Sequence, residues 1–180
     1  MKKWFFTALL ALLPFLSFAQ IPQRLEIASI DRSDREDMEE LVLEAFWIPR
    51  EDHNDYYLSV GNADFNKNKV LFFDPLTEGF IYAGTSVDDV LNLLSELIEL
   101  VSDKKGATKT FQGEASVAYP RGDMGPVLVE VANKGLLGGK RLDFIIASGD
   151  RQLVFRRTAF DLKSLNTSVK LYKKLHPNQK

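Results

Sequence analysis

Four side chains in one short segment could bind a metal or transfer protons. The segment EDHND, residues 51–55, contains Glu51, Asp52, His53 and Asp55. Carboxylates and imidazole act as general acids and bases and as zinc ligands. Charged residues are also ordinary at the solvated tip of a hairpin, and we prefer that interpretation. We predict no metal site, and a carboxylate-dependent hydrolase built on these four residues is the least favoured function.

The cysteine and histidine content of the chain restricts the kinds of catalytic and metal site it could form. The chain has no cysteine, so a cysteine nucleophile, a disulfide and a zinc site with thiolate ligands are all excluded. The second of its two histidines, His176, belongs to the C-terminal tail HPNQK, which favours neither a Ser-His-Asp triad nor a His-rich zinc site. An enzyme is therefore not favoured, and no cofactor is predicted.

One five-residue pattern occurs twice. IPRED, residues 48–52, and YPRGD, residues 119–123, both read apolar-Pro-Arg-x-Asp and lie 71 positions apart. Proline fixes φ and aspartate bonds nearby backbone amides, so both segments are predicted to be turns at hairpin tips. Arg-Gly-Asp at 121–123 matches an integrin-binding tripeptide, but its counterpart Arg-Glu-Asp favours a turn.

Aromatic residues next to these turns suggest a contact surface for carbohydrate or protein, because Trp and Tyr present flat, partly polar faces. The plainer interpretation is that such residues alternate between the two faces of a sheet. The candidate binding surface comprises Trp47, Arg50, Asp52, His53, Tyr56, Tyr57, Tyr119, Arg121 and Asp123.

Two further segments match ligand-binding loops only in part. The segment NADFNKN, residues 62–68, has alternating oxygen ligands, but Lys67 replaces the glycine that an EF-hand calcium loop needs at its sixth position. The segment GLLGGK, residues 135–140, continues with Arg141 where a phosphate-binding loop has Ser or Thr. Both segments are better explained as turns before strands.

The paired turns belong to a longer internal match. With a shift of 71, residues 46–73 show eight identities in 28 positions, and with a shift of 72 SVDD at 86–89 falls on TAFD at 158–161. Both four-residue segments are of the form Ser/Thr-x-x-Asp and precede an apolar helical pattern, which predicts two capped helices. Short runs rich in Val, Ile, Phe and Tyr precede each helix and predict strands.

The resulting prediction is an α+β protein with two tandem β-β-β-β-α repeats related by a pseudo-twofold axis. Short connections favour antiparallel meanders, with one helix per repeat covering an apolar face. The predicted strands are 41–48, 56–61, 69–73 and 79–84 in the first repeat, 114–119, 127–132, 141–147 and 152–157 in the second, and 24–30 before both.

One segment gives conflicting signals. Residues 33–46 have a Ser-x-x-Glu capping signature and apolar residues at helical spacing, which favours a helix. The corresponding segment of the second repeat, 109–119, contains Gly113 and β-favouring residues. We therefore predict a strand for 41–48, with a helix over about 34–46 as the alternative.

Residues 1–19 read as a signal peptide, with Lys2 and Lys3 before a short apolar run and a cleavage site after Ala19. The chain then divides into 20–40, an N-terminal strand and charged turn; 41–106, the first repeat; and 107–180, the second repeat with a short basic tail. The mature protein is expected in the periplasm or outside the cell, without a membrane span.

The two repeats differ in charge. Residues 20–102 have 6 basic and 18 acidic side chains, net −12, and residues 103–180 have 15 and 7, net +8. The basic half could bind an acidic glycan, lipid or protein, but mutual neutralisation within the fold or in a homo-oligomer is preferred. Nucleic acid is not an expected partner of an exported protein.

These observations favour an exported, non-catalytic binding protein. It would engage a protein or envelope component, of unknown identity, through a sheet face or the paired hairpin tips. A carrier of a small apolar ligand between sheet and helices is the main alternative, since the helices cover apolar faces.

Overall fold

The computed structural model describes residues 22–30, 41–62, 77–133, 139–149 and 151–175. Within these ranges the chain is α+β, as predicted. Eight strands form one antiparallel sheet in which every strand pairs with its neighbour in the chain. The strands are β1 Gln23–Ile30, β2 Leu41–Pro49, β3 Asn54–Asn62, β4 Thr77–Gly84, β5 Thr108–Val117, β6 Gly125–Asn133, β7 Lys140–Ser148 and β8 Arg151–Asp161.

Two helices accompany the sheet. Helix α1, Val87–Ser102, follows β4, and helix α2, Leu162–Leu175, follows β8. Strand β8 also contacts β2 and β3, and α2 contacts β1, so the sheet curls and α2 lies between its two ends. Neither of these helices is long and apolar enough to cross a membrane.

Most predicted elements lie where they were expected. The strand predicted for 41–48 is confirmed as β2, so the helical alternative for 34–46 is wrong over 41–46. The predicted signal peptide, the segment 31–40 and the predicted strand 69–73 lie outside the described residues.

The inner face of the sheet carries the main core. Period-two alternation buries Val127, Val129 and Val131 of β6 completely, and these valines belong to the same apolar cluster as the buried leucines of α1. One contiguous apolar cluster includes residues from every strand and both helices. The inner face of the sheet therefore packs against the helices, and the outer face lies on the opposite side of the sheet.

The two helices begin differently. Ser86 caps α1: its hydroxyl accepts the backbone N–H of Asp89, and the Asp89 carboxylate accepts that of Ser86. The Asp89 carboxylate also accepts the Ser86 hydroxyl at 2.8 Å, and this bond foremost, with the amides of Thr85 and Ser86, lowers the pKa of Asp89. In α2 the predicted cap at Thr158 is wrong, because β8 continues to Asp161 and Asp161 itself accepts the N–H of Ser164 at 2.8 Å. Asp and Thr are both good caps, and strand pairing decides between them.

The order of four strands and one helix occurs twice among the described residues, but strand pairing does not follow the predicted match. A shift of 71 equates β3 with β6, which would place the strand 69–73 between β3 and β4. Instead β3 pairs directly with β4, from Tyr56 opposite Gly84 to Asn62 opposite Glu78. The first and second halves are joined by the β4–β5 ladder and the shared core.

Candidate functional site

A second, smaller apolar cluster lies on the outer face of β2, β3 and β4. It consists of Ile48, Tyr57 and Phe80, with Phe46 and Tyr82 packed against them. The rings of Phe46 and Phe80 meet edge to face at 5.4 Å, and those of Tyr57 and Tyr82 do the same at 5.4 Å. This aromatic cluster is the base on which the polar residues of the site lie.

The first Pro-Arg-x-Asp segment forms a tight hairpin turn, residues 50–53, which we call the first turn. The Arg50 backbone N–H donates to the His53 carbonyl at 2.7 Å, and the Arg50 Nε donates to Asp55 at 2.6 Å. The bond to Asp55 raises the pKa of Arg50, which is therefore always charged. The Arg50 side chain thus points back along the sheet toward β3 and away from the tip.

His53 lies between two carboxylates at the tip of the first turn. Its Nδ1 is 2.5 Å from Asp52 and its Nε2 is 3.3 Å from Asp55. The hydrogen bond to Asp52 and the two negative charges raise the pKa of His53, and the same bond lowers the pKa of Asp52. Glu51, Asp52 and His53 are all exposed, and the described residues contain no group of three His, Asp or Glu placed to hold a metal.

The second Pro-Arg-x-Asp segment is not the hairpin tip that was predicted. The β5–β6 ladder ends at Gly113 opposite Gly125, so residues 114–124 lie beyond it, with 114–117 paired to β4 instead. Residues 118–124, which we call the strap, then return across the outer face. The sharp reversal is made at Ala118, with φ of 69° and a bond from the Tyr119 N–H to the Val117 carbonyl.

A buried carboxylate holds the strap in place. Glu114, only 5% exposed, accepts the backbone N–H groups of Arg121 at 2.9 Å and Gly122 at 2.8 Å. Ser116 adds a bond from its hydroxyl to the Tyr119 carbonyl. Hydrogen bonds to an ionised acceptor are stronger than neutral ones, so the strap backbone is fixed while the Arg121 side chain stays exposed.

The strap and the first turn meet at Gly122. A Cβ at this position would lie 3.0 Å from the Arg50 Nη2 and 4.0 Å from the Tyr57 hydroxyl, and Gly122 has φ of +98°. Glycine is required here by both the close approach and the backbone conformation. The Arg-Gly-Asp match therefore has a structural explanation, as the turn interpretation proposed.

Tyr57 is a third buried polar residue of the site, beside Asp55 and Glu114. It is fully buried, and its hydroxyl has no hydrogen-bond partner among the residues the structure describes. Burial foremost, with the nearby charges of Asp55 and Glu114, raises the pKa of Tyr57 to about 12 against the opposite effect of the Arg50 guanidinium, so the hydroxyl keeps its proton. A buried hydroxyl without a good hydrogen bond costs about 1 to 3 kcal/mol.

An open pocket lies where the first turn, the strap and the start of β1 come together. Its volume is about 250 Å³, and its walls are formed by Pro22, Ile48, Arg50, Tyr119, Pro120 and Arg121. Each Pro-Arg segment supplies one arginine to this pocket. The repeated motif thus contributes both of the charged groups that line it.

The structure brings together most, but not all, of the predicted surface. Seven of its nine residues lie at the first turn, the strap or the cluster beneath them: Arg50, Asp52, His53, Tyr57, Tyr119, Arg121 and Asp123. Trp47 and Tyr56 instead stack on each other at 6.5 Å on the inner face, since neighbouring strand residues point to opposite faces. Asp123 is exposed on the strap.

Sequence reasoning missed Glu114, Tyr82 and Pro22 as parts of the site. A lone glutamate at a buried position of β5 is a signal that could have marked Glu114. The Tyr82 hydroxyl donates to Asp55 at 3.4 Å, a contact that depends on the β3–β4 register. Nothing in the local sequence marks Pro22, whose role depends on the pairing of β1 with β2.

The remaining motifs have structural roles or lie elsewhere. The predicted turns at 63–68 and 134–138 are outside the described residues. Lys140, from the glycine-rich segment, donates to the Ser102 and Asp103 carbonyls at 2.9 and 2.5 Å, and so caps the C-terminal end of α1. Four lysines of α2 are exposed to solvent: Lys163, Lys170, Lys173 and Lys174.

Comparison of the chain with family models, with curated proteins and with solved structures gives no match.

Proposed function

We propose that the protein is an exported, non-catalytic binding protein that engages a protein or envelope component. The binding surface is the junction of the first turn and the strap, with the pocket between them. The proposal of export, to the periplasm or outside the cell, is supported by residues 1–19, which read as a signal peptide cleaved after Ala19.

The observation that carries this proposal is the contact between the two Pro-Arg segments, far apart in the chain, around one open pocket. The strap also presents Tyr119 and Met124, which are 47% and 45% exposed. Aromatic residues, Met and Arg are enriched at protein interfaces, and here they surround a backbone already fixed by Glu114. A pre-ordered surface loses little conformational entropy when it binds.

The alternatives receive less support. Between the sheet and the helices, fully buried side chains such as Leu97, Phe144 and Phe155 pack into one cluster, which does not favour a carrier of an apolar ligand. His53 does lie beside two carboxylates, but at an exposed tip, and it is not among the residues that line the pocket. A hydrolase is therefore not proposed.

Site-specific photocrosslinking tests the binding surface. A photoreactive phenylalanine analogue would replace Tyr119 on the strap, and the matched control would place it at exposed Lys170 on α2. In the native cells we expect a discrete adduct from position 119 that excess unmodified protein suppresses. Failure to form an adduct at 119, or the same adducts from 170, would contradict the proposed surface.

We further propose that residues 41–106 and 107–180 descend from one β-β-β-β-α unit, with the oppositely charged halves supporting a homo-oligomer. The sequence match supports this, while the direct β3–β4 pairing does not, and the described part of residues 41–106 holds three strands and a helix because β1 lies before it. Backbone chemical shifts of residues 69–73 test the match, since the repeat expects strand values. Helical or coil values there would contradict it.

A further inference from the structure

The pocket combines apolar walls with two cationic groups. Pro22, Ile48, Tyr119 and Pro120 form the walls, and Arg50 and Arg121 are the charged residues that line it. None of the six lining residues is acidic. Glu114 accepts the strap amides, and Asp55 accepts from the Arg50 Nε and so also balances part of the Arg50 charge. The interior of the pocket therefore favours an anionic group joined to an apolar one.

The geometry of the arginines suits a carboxylate. The Arg50 guanidinium is held in one orientation by its Nε bond to Asp55 and by the Gly122 backbone against its Nη2. The Arg121 backbone is anchored to Glu114, while its side chain is free to adjust. Guanidinium groups bind carboxylates through paired N–H bonds, and a pre-oriented guanidinium loses little freedom when it does so.

The buried Tyr57 hydroxyl adds a further polar group next to Arg50. It makes no hydrogen bond of ordinary geometry to the described residues, the Arg50 guanidinium acts on it electrostatically, and it lies close to Gly122. Arg50 connects this hydroxyl to the pocket, because it lines the pocket on one side and adjoins Gly122 on the other.

We propose that this pocket binds a carboxylate next to an apolar group, and that its source is the free C-terminus of a partner polypeptide. The volume of about 250 Å³ suits the end of a chain better than a whole ligand, since small-molecule sites start at about 300 Å³. Exposed Tyr119 and Met124 lie on the strap, where the residues preceding the terminus would run. Capture of a terminal carboxylate is an established mode of peptide recognition. This inference rests on the proposed binding function.

The test uses the mature protein, amide chemical-shift mapping and three probes. These are an acetylated tetrapeptide ending in phenylalanine and leucine with a free carboxylate, the same peptide as its C-terminal amide, and phenylpropanoate. The free-acid peptide is expected to shift the resonances of Ile48, Arg50 and Arg121. The amide should bind at least about tenfold more weakly, which corresponds to about 1.4 kcal/mol.

Two variants separate specific from general charge effects. Arg121→Gln removes one guanidinium but keeps the backbone bond to Glu114, and should weaken the acid peptide about tenfold. Lys170→Gln removes one exposed positive charge on α2 and should leave the affinity unchanged. Unchanged amide dispersion in both spectra shows that the variants are folded.

Several outcomes would overturn the inference. Equal affinity for acid and amide peptides would exclude carboxylate recognition, and so would an absence of shifts up to about 10 mM probe. Phenylpropanoate binding as tightly as the peptide would exclude a peptide terminus as the source. If these results came with a specific crosslink from position 119, the proposed surface would stand and the ligand class alone would be wrong.

Discussion

The two Pro-Arg-x-Asp segments share a sequence pattern but not a structure. In the first turn, residues 50–53, the arginine points inward to Asp55 and the tip residues point to solvent. In the strap, residues 118–124, the backbone points inward, through two amides to Glu114, and the arginine points to solvent. On one side of the pocket the arginine side chain anchors the segment, and on the other side the backbone anchors it.

The difference shows what a turn pattern can determine. Proline and the short polar residues favour a change of chain direction, which both segments make. Whether the arginine or the backbone becomes the anchor depends on which acceptor lies beneath, and that is set by strand register. Asp55 follows the first turn within its own hairpin, whereas Glu114 lies on the part of β5 that pairs with β4. The four predictions below test this contrast.

The largest effect is expected when the strap loses its acceptor. Glu114→Ala removes two charge-assisted hydrogen bonds at a buried position, and should lower the free energy of unfolding by about 3 kcal/mol. Glu114→Gln keeps one carbonyl oxygen that can accept both amides, and should cost less than half as much. Urea unfolding measures both. Equal losses in the two variants would show that the amide bonds do not hold the strap.

Gly122 should be the next most sensitive position. Gly122→Ala places a side chain at φ of +98° against Arg50, and should cost about 2 kcal/mol. Gly149→Ala, at φ of +62° with open space around it, isolates the backbone cost and should be milder, at about 1 kcal/mol. Gly125→Ala has neither feature and should change stability by less than about 0.5 kcal/mol. An inverted order would argue against the contact with Arg50.

The paired arginines should differ in stability. Arg50→Gln leaves the buried Asp55 carboxylate without its cation and should cost about 1.5 kcal/mol, whereas Arg121→Gln should change stability by less than about 0.5 kcal/mol. Thermal or urea unfolding of the two variants gives the comparison. Similar losses would mean that the two turns use their arginines alike.

The smallest effect is a pH dependence at the first turn. The raised pKa of His53 means that its contacts stabilise the fold below its ordinary value of 6.5, and that this is lost as pH rises through the folded pKa. The lowered pKa of Asp52 means that its contribution is lost as pH falls through values below 3.8. Wild type should therefore exceed His53→Gln in stability more at about pH 5 than at about pH 9. In the Asp52→Asn background that pH-dependent difference should be smaller, with a remainder due to Asp55, and equal differences at both pH values in the wild-type background would contradict the prediction.

Local patterns predicted the elements well, and long-range pairing poorly. A run rich in valine predicted a strand at 127–132, which is β6, and the Ser86 signature predicted the start of α1. The α2 cap was misplaced because Thr158 and Asp161 satisfy the same rule until strand pairing is known. The strand assignment of 41–48 needed comparison with a second segment, because local spacing favoured a helix.

The site shows the same limit. The residues of the two turns could be selected from sequence, but the Arg50–Gly122 contact depends on sheet curvature and on which face each turn occupies. Trp47 and Tyr56 lie close to the first turn in the chain, yet alternation places them on the other face from Tyr57. Glu114 could not be assigned to the strap without the β4–β5 register.

The most direct test of the account is whether the strap lies on the first turn in solution. Nuclear Overhauser spectra of the wild-type protein should show contacts from the Gly122 α-protons to the Arg50 side chain and the Tyr57 ring. The Arg121 and Gly122 amides should exchange slowly because Glu114 binds them. Rapid exchange of both amides, with no contact between Gly122 and Arg50, would contradict the meeting of the two turns.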